Sequence, residues 1–202
     1  MPSIYDLKPR FQALLRPLTN QLARAGVTAN QVTLAALLLS IIVGGVIAVN
    51  PQTSKLLLLV PGVLFVRMAL NAIDGMLARE HDMKSNLGAV LNELGDVLAD
   101  VALYLPIALI PAVSPVGVVL VVIFGIISEM TGVIAVQIGA SRGYAGPMGK
   151  SDRAFVFGLV ALLLGLGIQP GLWLDGFWSI ILLLLGLTVI NRVRNALAEL
   201  GP

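Results

Sequence analysis

Runs of about twenty apolar residues recur along the whole chain, and they constrain it more than any other feature. A stretch of that length crosses the hydrocarbon core of a bilayer as a helix. There every backbone amide and carbonyl has to find its partner inside the segment. Of the 202 residues, 57% are hydrophobic and 12% charged, which leaves too little polar surface to clothe a soluble domain of this size. The expected class is therefore all-α integral membrane, with six transmembrane helices at roughly 28–49, 55–80, 84–111, 114–140, 151–168 and 174–197. Ahead of them, Phe11, Leu14, Leu15, Leu18 and Leu22 alternate with Lys8, Arg10, Arg16 and Arg24. That pattern suits an amphipathic helix lying in the membrane interface, which Pro9 and Pro17 are expected to break or kink. The chain thus divides into an amphipathic juxtamembrane segment, 1–26, and a six-helix domain, 27–202. The first residues lack the apolar core and small-residue cleavage site of a signal peptide. The absence of cysteine excludes a disulfide framework and a thiolate metal site.

Charge follows topology. The N-terminal segment is basic, the 79–84 loop is charged, and cations stand in the 141–153 loop with Arg142, Lys150 and Arg153 and at the C-terminal end with Arg192 and Arg194. The loops at 111–115 and 169–175 carry no cation. By the positive-inside rule, both termini and the loops after the second and fourth spans are cytoplasmic. Cations scattered between apolar spans exclude nucleic acid as a partner. Trp173 and Trp178 read as anchors at the outer interface.

One polar stretch interrupts the apolar sequence: Asn71, Asp74, Gly75, Ala78 and Arg79, then Gly88, Asn92, Asp96 and Asp100. Ionisable side chains are expensive inside a bilayer, so several on facing helices indicate a site. Asn71 and Asp74 are one turn apart and share a helix face. Asn92, Glu93, Asp96 and Asp100 fall within an arc of about 100° on the next helix, with Gly88 at its edge. The turn Glu80–Lys84 is short, which makes the two helices antiparallel neighbours. Their polar faces would form an oxygen-rich cage suited to Mg²⁺ or Mn²⁺. A dication bridging a pyrophosphate supports displacement at phosphorus. A carboxylate beside it can take a proton from an attacking hydroxyl.

The spacing N-x2-D-G-x2-A-R-x8-G-x3-N-x3-D resembles the CDP-alcohol phosphotransferase signature, in which Asp stands at the positions of Asn71 and Asn92. The resemblance extends to Gly26-Val-Thr28-Ala-Asn30-Gln-Val-Thr33, similar to the Thr-Pro-Asn-x-x-Thr opening of that family's first span. It also takes in Gly146 to Arg153, similar to its basic segment before the fifth. The resemblance implies a homodimer of six-helix protomers that moves a substituted phosphate from a CDP-linked donor to an alcohol and releases CMP. CDP-diacylglycerol is the expected donor, with a polar alcohol as acceptor. It implies Asp74 as metal and nucleotide-side ligand, Asp96 as metal ligand and base, and Gly75, Ala78, Arg79 and Gly88 around the CDP moiety. Asn30 is expected to face the site. Asn71 and Asn92 would offer carbonyl oxygen without charge, and Glu93 and Asp100, flanking Asp96, would compensate, with Asp100 the alternative to Asp96 as base. Lys150 and Arg153, three apart where a helix begins, point to phosphate on the acceptor or on lipid. Glu129 faces either the acceptor or a neighbouring helix. The expected location is a bacterial or archaeal cytoplasmic membrane with the site on its cytoplasmic side. Two other readings fit the same residues: a homologue that binds CDP-lipid without turnover, and a cation-coupled transporter using the acidic cluster.

Overall fold

The computed structural model describes residues 4–201. The first three residues of the expected 1–26 segment, and the side chain of Lys8, lie outside the described residues. Among the described residues seven α-helices follow one another: α1 Ile4–Arg24, α2 Ala29–Val49, α3 Leu59–Glu80, α4 Asn86–Tyr104, α5 Pro115–Gln137, α6 Lys150–Gly165 and α7 Leu172–Leu200. Short 3₁₀ turns at Ser54–Leu58 and Leu105–Leu109 precede α3 and follow α4. Among the described residues there is no strand.

Among the described residues four segments are long and apolar enough to cross a membrane: Ala29–Val49, Ser54–Glu80, Pro115–Gln137 and Leu172–Leu200. The six expected spans are therefore not all matched on length and hydropathy. At 16 residues, α6 reaches only about 24 Å and opens on Lys150, Asp152 and Arg153. The fourth helix stops at Tyr104, where the 3₁₀ turn containing Pro106 begins, instead of running to 111. It also carries Asn92, Glu93, Asp96 and Asp100. Its other face, Leu87, Val90, Leu94 and Leu98, is exposed. A helix that turns its leucines outward is built for an apolar surrounding.

The chain forms two compact units. The first combines the residues up to Ile42 with Gly62–Ala99. Its core is Ala29, Val32, Ile73, Met76 and Leu77, with Leu15, Leu22 and Ala23 of α1 packed against it. The helix α1 stays continuous through Pro9 and Pro17, without the break that was one of the two expected outcomes there. Arg16 grips Glu80 at the end of α3 with two hydrogen bonds, Nε to Oε2 at 3.0 Å and Nη2 to Oε1 at 2.9 Å. That bond and the charge of Glu80 hold the Arg16 guanidinium above its ordinary value. His81 Nε2 lies 3.1 Å from Asn20 Oδ1, so this turn residue has a partner on α1. Thr28 and Gln31 cap α2 reciprocally, each backbone amide donating to the other's side-chain oxygen at 2.9 and 3.3 Å.

The second unit comprises Val43–Pro61 and Asp100–Pro202. Its centre is aromatic. Tyr104 stacks on Phe157 with ring centroids 4.1 Å apart, and Trp178 follows at 5.2 Å. Trp178 is 1% exposed and fills a slot beside Gly117, where a Cβ would stand 2.8 Å from its ring. It is thus a core residue and not an interfacial anchor. Trp173 is exposed and donates to the Gln169 carbonyl at 3.0 Å. Gly44 brings α2 against the last turn of α4 so closely that a Cβ would lie 1.9 Å from the Ala102 carbonyl oxygen.

Candidate active site

In the first unit a cavity of about 390 Å³ opens beside the ends of three helices. The start of α2 contributes Ala29, Asn30 and Thr33, the end of α3 contributes Asp74, Gly75, Ala78 and Arg79, and the 83–92 stretch contributes Lys84, Ser85, Gly88 and Asn92. Asn30, Gly75, Ala78, Arg79 and Gly88, all expected to bind substrate, line this one space. So do Asp74 and Asn92 from the expected metal set.

Local chemistry explains the arrangement. Gly75 leaves room for Arg79, one turn on, to fold back: a Cβ at 75 would stand 3.0 Å from its Nη2. The space beside this glycine is therefore occupied by the guanidinium itself. A Cβ at Gly88 would lie 2.7 Å from Asn30 Oδ1, so glycine there lets the first turn of α4 meet α2. Ser85 caps α4 by accepting the Gly88 N–H at 2.9 Å. Helix α4 therefore turns its amide end, with Lys84 and Arg79, towards the cavity, a combination that favours an anion. Asp74 is buried, and Thr33 Oγ1 donates to its Oδ2 at 2.8 Å.

Asn71 and Asp96 do not line the cavity, but they meet each other, with Asn71 Nδ2 donating to Asp96 Oδ1 at 3.0 Å. Glu93 lies half-buried three residues before Asp96 on α4. Among the described residues no three His, Cys, Asp or Glu side chains gather as a ready-made metal cage. The donors available are the carboxylates of Asp74 and Asp96 and the amides of Asn71 and Asn92. They are hard oxygen ligands that fit Mg²⁺ or Mn²⁺, with less charge than four acids would bring.

Lys150, Arg153 and Asp100 belong to the second unit. Arg153 is 4% exposed and makes three contacts: Nη2 to Glu129 Oε1 at 2.9 Å, Nη1 to Ser128 Oγ at 3.2 Å, and Nη2 to Asp100 Oδ2 at 3.7 Å. Gly125 makes room for its side chain, since a Cβ there would sit 3.2 Å from Arg153 Cδ. Arg142 reaches Glu129 Oε2 at 3.2 Å, with its guanidinium 5.2 Å from the centre of the Tyr144 ring. Arg192 is 2% exposed, lies 3.6 Å from Glu129 Oε1, and donates to the carbonyls of Ser128 and Ala145. Glu129 is therefore the hub of the unit's buried charge and bonds α6, α7 and the loop after α5. Lys150 begins α6, whose first turn is capped by Asp152 accepting the Gly149 N–H at 2.9 Å.

The sequence reading missed the roles of Thr33, Lys84, Ser85 and Arg192. Ser85 alone had a local signal, a serine three residues before Gly88 at a helix start. The other three depend on tertiary contact.

A family model described as CDP-alcohol phosphatidyltransferase matches residues 26–190. The inner membrane protein YnbA of Escherichia coli (strain K12) is 48% identical over 195 residues, covering 96% of each chain. Phosphatidylinositol phosphate synthase (PgsA1) of Mycobacterium tuberculosis with CDP-DAG bound aligns at TM-score 0.75 and 19% identity, over 89% of this chain and 92% of that one. Its complex with manganese and citrate aligns at the same TM-score and identity, over 89% and 87%. At 19% identity these two describe the fold, whereas the family model and the bacterial relative settle ancestry over nearly the whole length. The chain belongs to the CDP-alcohol phosphatidyltransferase family.

Proposed function

We propose that this protein transfers a phosphatidyl group from CDP-diacylglycerol to a polar alcohol, with release of CMP, in phospholipid synthesis. The observation that carries this is the single cavity lined by Asn30, Asp74, Gly75, Ala78, Arg79, Gly88 and Asn92. Its chemistry suits a CDP headgroup: Arg79, Lys84 and the amide end of α4 bind pyrophosphate, and Gly88 admits close approach. Asp74, Asp96, Asn71 and Asn92, with Glu93 and Asp100 adding charge nearby on α4, hold Mg²⁺ or Mn²⁺. That ion, when bound, neutralises the pyrophosphate and eases displacement at phosphorus. Thr33 fixes the Asp74 carboxylate. Asp96 accepts the proton of the attacking hydroxyl, with Asp100 one turn further on the same helix as the second acid. The acceptor oxygen bonds to the phosphorus that carries diacylglycerol, and the bond from that phosphorus to the CMP oxygen breaks.

In this reading residues 27–202 form the transferase domain, with six membrane-crossing helices, and 1–26 lie along the interface. The protein is a homodimer in a bacterial or archaeal cytoplasmic membrane, with both termini and the site facing the cytoplasm. The test is CMP release by purified protein from CDP-diacylglycerol with Mg²⁺ or Mn²⁺ and a panel of acceptors. Acceptor-dependent release that disappears in Asp74→Ala is the expected result, and undiminished release in that variant rules the assignment out. One observation favours a second reading, binding of CDP-lipid without turnover: the Asn71 amide already donates to the proposed base, Asp96. CDP-diacylglycerol binding with no release for any acceptor, and release gained in the Asn71→Asp, Asn92→Asp double variant, would establish it.

A further inference from the structure

A second cavity, of about 470 Å³, opens in the first unit. Asn20, Ala23 and Arg24 of α1 line it, together with His81 and Met83 of the turn after α3. Met83 also lines the transfer cavity and is the residue common to both spaces. Asn20, Ala23 and Arg24 share one face of α1, and the small Ala23 leaves room between the two polar side chains. That face is held in place, because Leu15 and Leu22 pack on the core of the unit and Arg16 is bonded to Glu80. The polar groups are not used up within the protein. The end of α1 is closed by its own backbone: Gly26, at φ 78°, donates to the Ala23 carbonyl and Val27 to that of Leu22, both at 3.0 Å. Arg24 is therefore not needed as a cap, and among the described residues its guanidinium has no ion-pair or hydrogen-bond partner. His81 Nε2 faces Asn20 Oδ1 at 3.1 Å, which makes Nε2 the donor. Nδ1 is left for a ligand, as a donor in the imidazolium and as an acceptor of an O–H in the neutral ring. No carboxylate lines the space, and Glu80, next to His81 in the chain, is engaged by Arg16 through both oxygens. A guanidinium, an imidazole and an amide around one cavity, without a competing acid, are donors suited to phosphate oxygens.

We propose that this cavity is a second binding site, in which Arg24, His81 and Asn20 hold a phosphate group, supplied by a phospholipid headgroup or by free phosphate. None of the three lines the transfer cavity, so the inference stands independently of the transfer reading. An amphipathic helix in the membrane interface lies at the depth of the lipid phosphates, and there α1 presents Asn20 and Arg24 to them. The bound group lies against Met83, on whose other side the transfer cavity opens.

His81 is the only histidine of the chain, so protein labelled in histidine alone, with any affinity tag removed, gives ring NMR signals from this cavity and from nowhere else. Protein in a sugar-headgroup detergent is titrated with inorganic phosphate at fixed pH, with chloride exchanged to hold the ionic strength. In a second arm it is titrated with short-chain phosphatidylglycerol, against a phosphate-free glycolipid of the same chain length. The expected result is a saturable shift of the His81 signals with phosphate, with phosphatidylglycerol or with both, and the arm that saturates names the source. Binding should weaken by on the order of tenfold or more in Arg24→Gln. It should be retained in Arg79→Gln, whose lost guanidinium belongs to the other cavity. Arg24 is exposed, so its variant should unfold at the wild-type temperature. No saturable shift in either arm overturns the inference, as does a response equally strong in Arg24→Gln. A response lost in Arg79→Gln but kept in Arg24→Gln also overturns it, because the phosphate then sits in the transfer cavity. None of these results touches the transfer reading, which stands or falls on CMP release.

Discussion

The hydrogen bond from Asn71 Nδ2 to Asp96 Oδ1 ties α3 to α4 at 3.0 Å, and exchanging its donor for a carboxylate reverses the sign of the contact. In Asn71→Asp a hydrogen bond to a charged group is lost, worth about 1.5–3 kcal/mol. Two carboxylates about 4 Å apart then repel by roughly 4 kcal/mol at an effective dielectric of 20. Both positions are half-buried, so water and salt screen part of that repulsion. A net cost of about 3 kcal/mol in metal-free protein is the expected balance, enough to lower the unfolding temperature by several degrees. A divalent cation inverts the effect, because two carboxylates attract it more strongly than a carboxylate and an amide. The assay is thermal unfolding in detergent, first with chelator and then along a Mg²⁺ or Mn²⁺ titration. Wild type should respond weakly. Asn71→Asp should start lower and rise steeply, with its half-maximal response at lower metal concentration. Equal stability of the two proteins in chelator would refute the Asn71–Asp96 contact. A destabilised variant that metal fails to rescue would refute the placing of these residues around an ion.

Other perturbations separate site chemistry from packing. Thr33→Val removes the hydroxyl that donates to Asp74 at 2.8 Å and should lower kcat/KM for CMP release by on the order of tenfold or more, while Thr33→Ser retains most of it; equal rates for Val and Ser would show that the bond is idle. Gly44→Ala would place a Cβ 1.9 Å from the Ala102 carbonyl oxygen, backbone against backbone, and should cost on the order of 3 kcal/mol in thermal stability. The neighbouring Gly45→Ala meets nothing within 4 Å and should be neutral or slightly stabilising; similar losses at both positions would contradict the close approach of α2 to α4.

What could be read from the chain alone was whatever repeats or sits close in sequence. The apolar runs locate the helices, and the spacing from Asn71 to Asp96 places Asp74, Gly75, Ala78, Arg79 and Gly88 by helix geometry, which is why they line one cavity. The ends of elements were less visible. Pro106 shortens α4, and α6 is too short and too polar at its start to count as a span on composition. Contacts made at long range were not visible at all. Thr33 and Asp74 are 41 residues apart, and Arg192 lies 64 residues from Ser128. A charge inside an apolar helix announces only that it needs a partner, since leaving it alone would be too costly. Glu129 and Arg153 each carry that announcement, but which acid answers which base depends on how α5, α6 and α7 pack. This difference matters for function. Read from sequence, Lys150 and Arg153 are two cations at the start of a helix and point to phosphate. Once packing supplies Glu129, the same Arg153 is already engaged by a carboxylate, and the chemistry it implies changes with its partner.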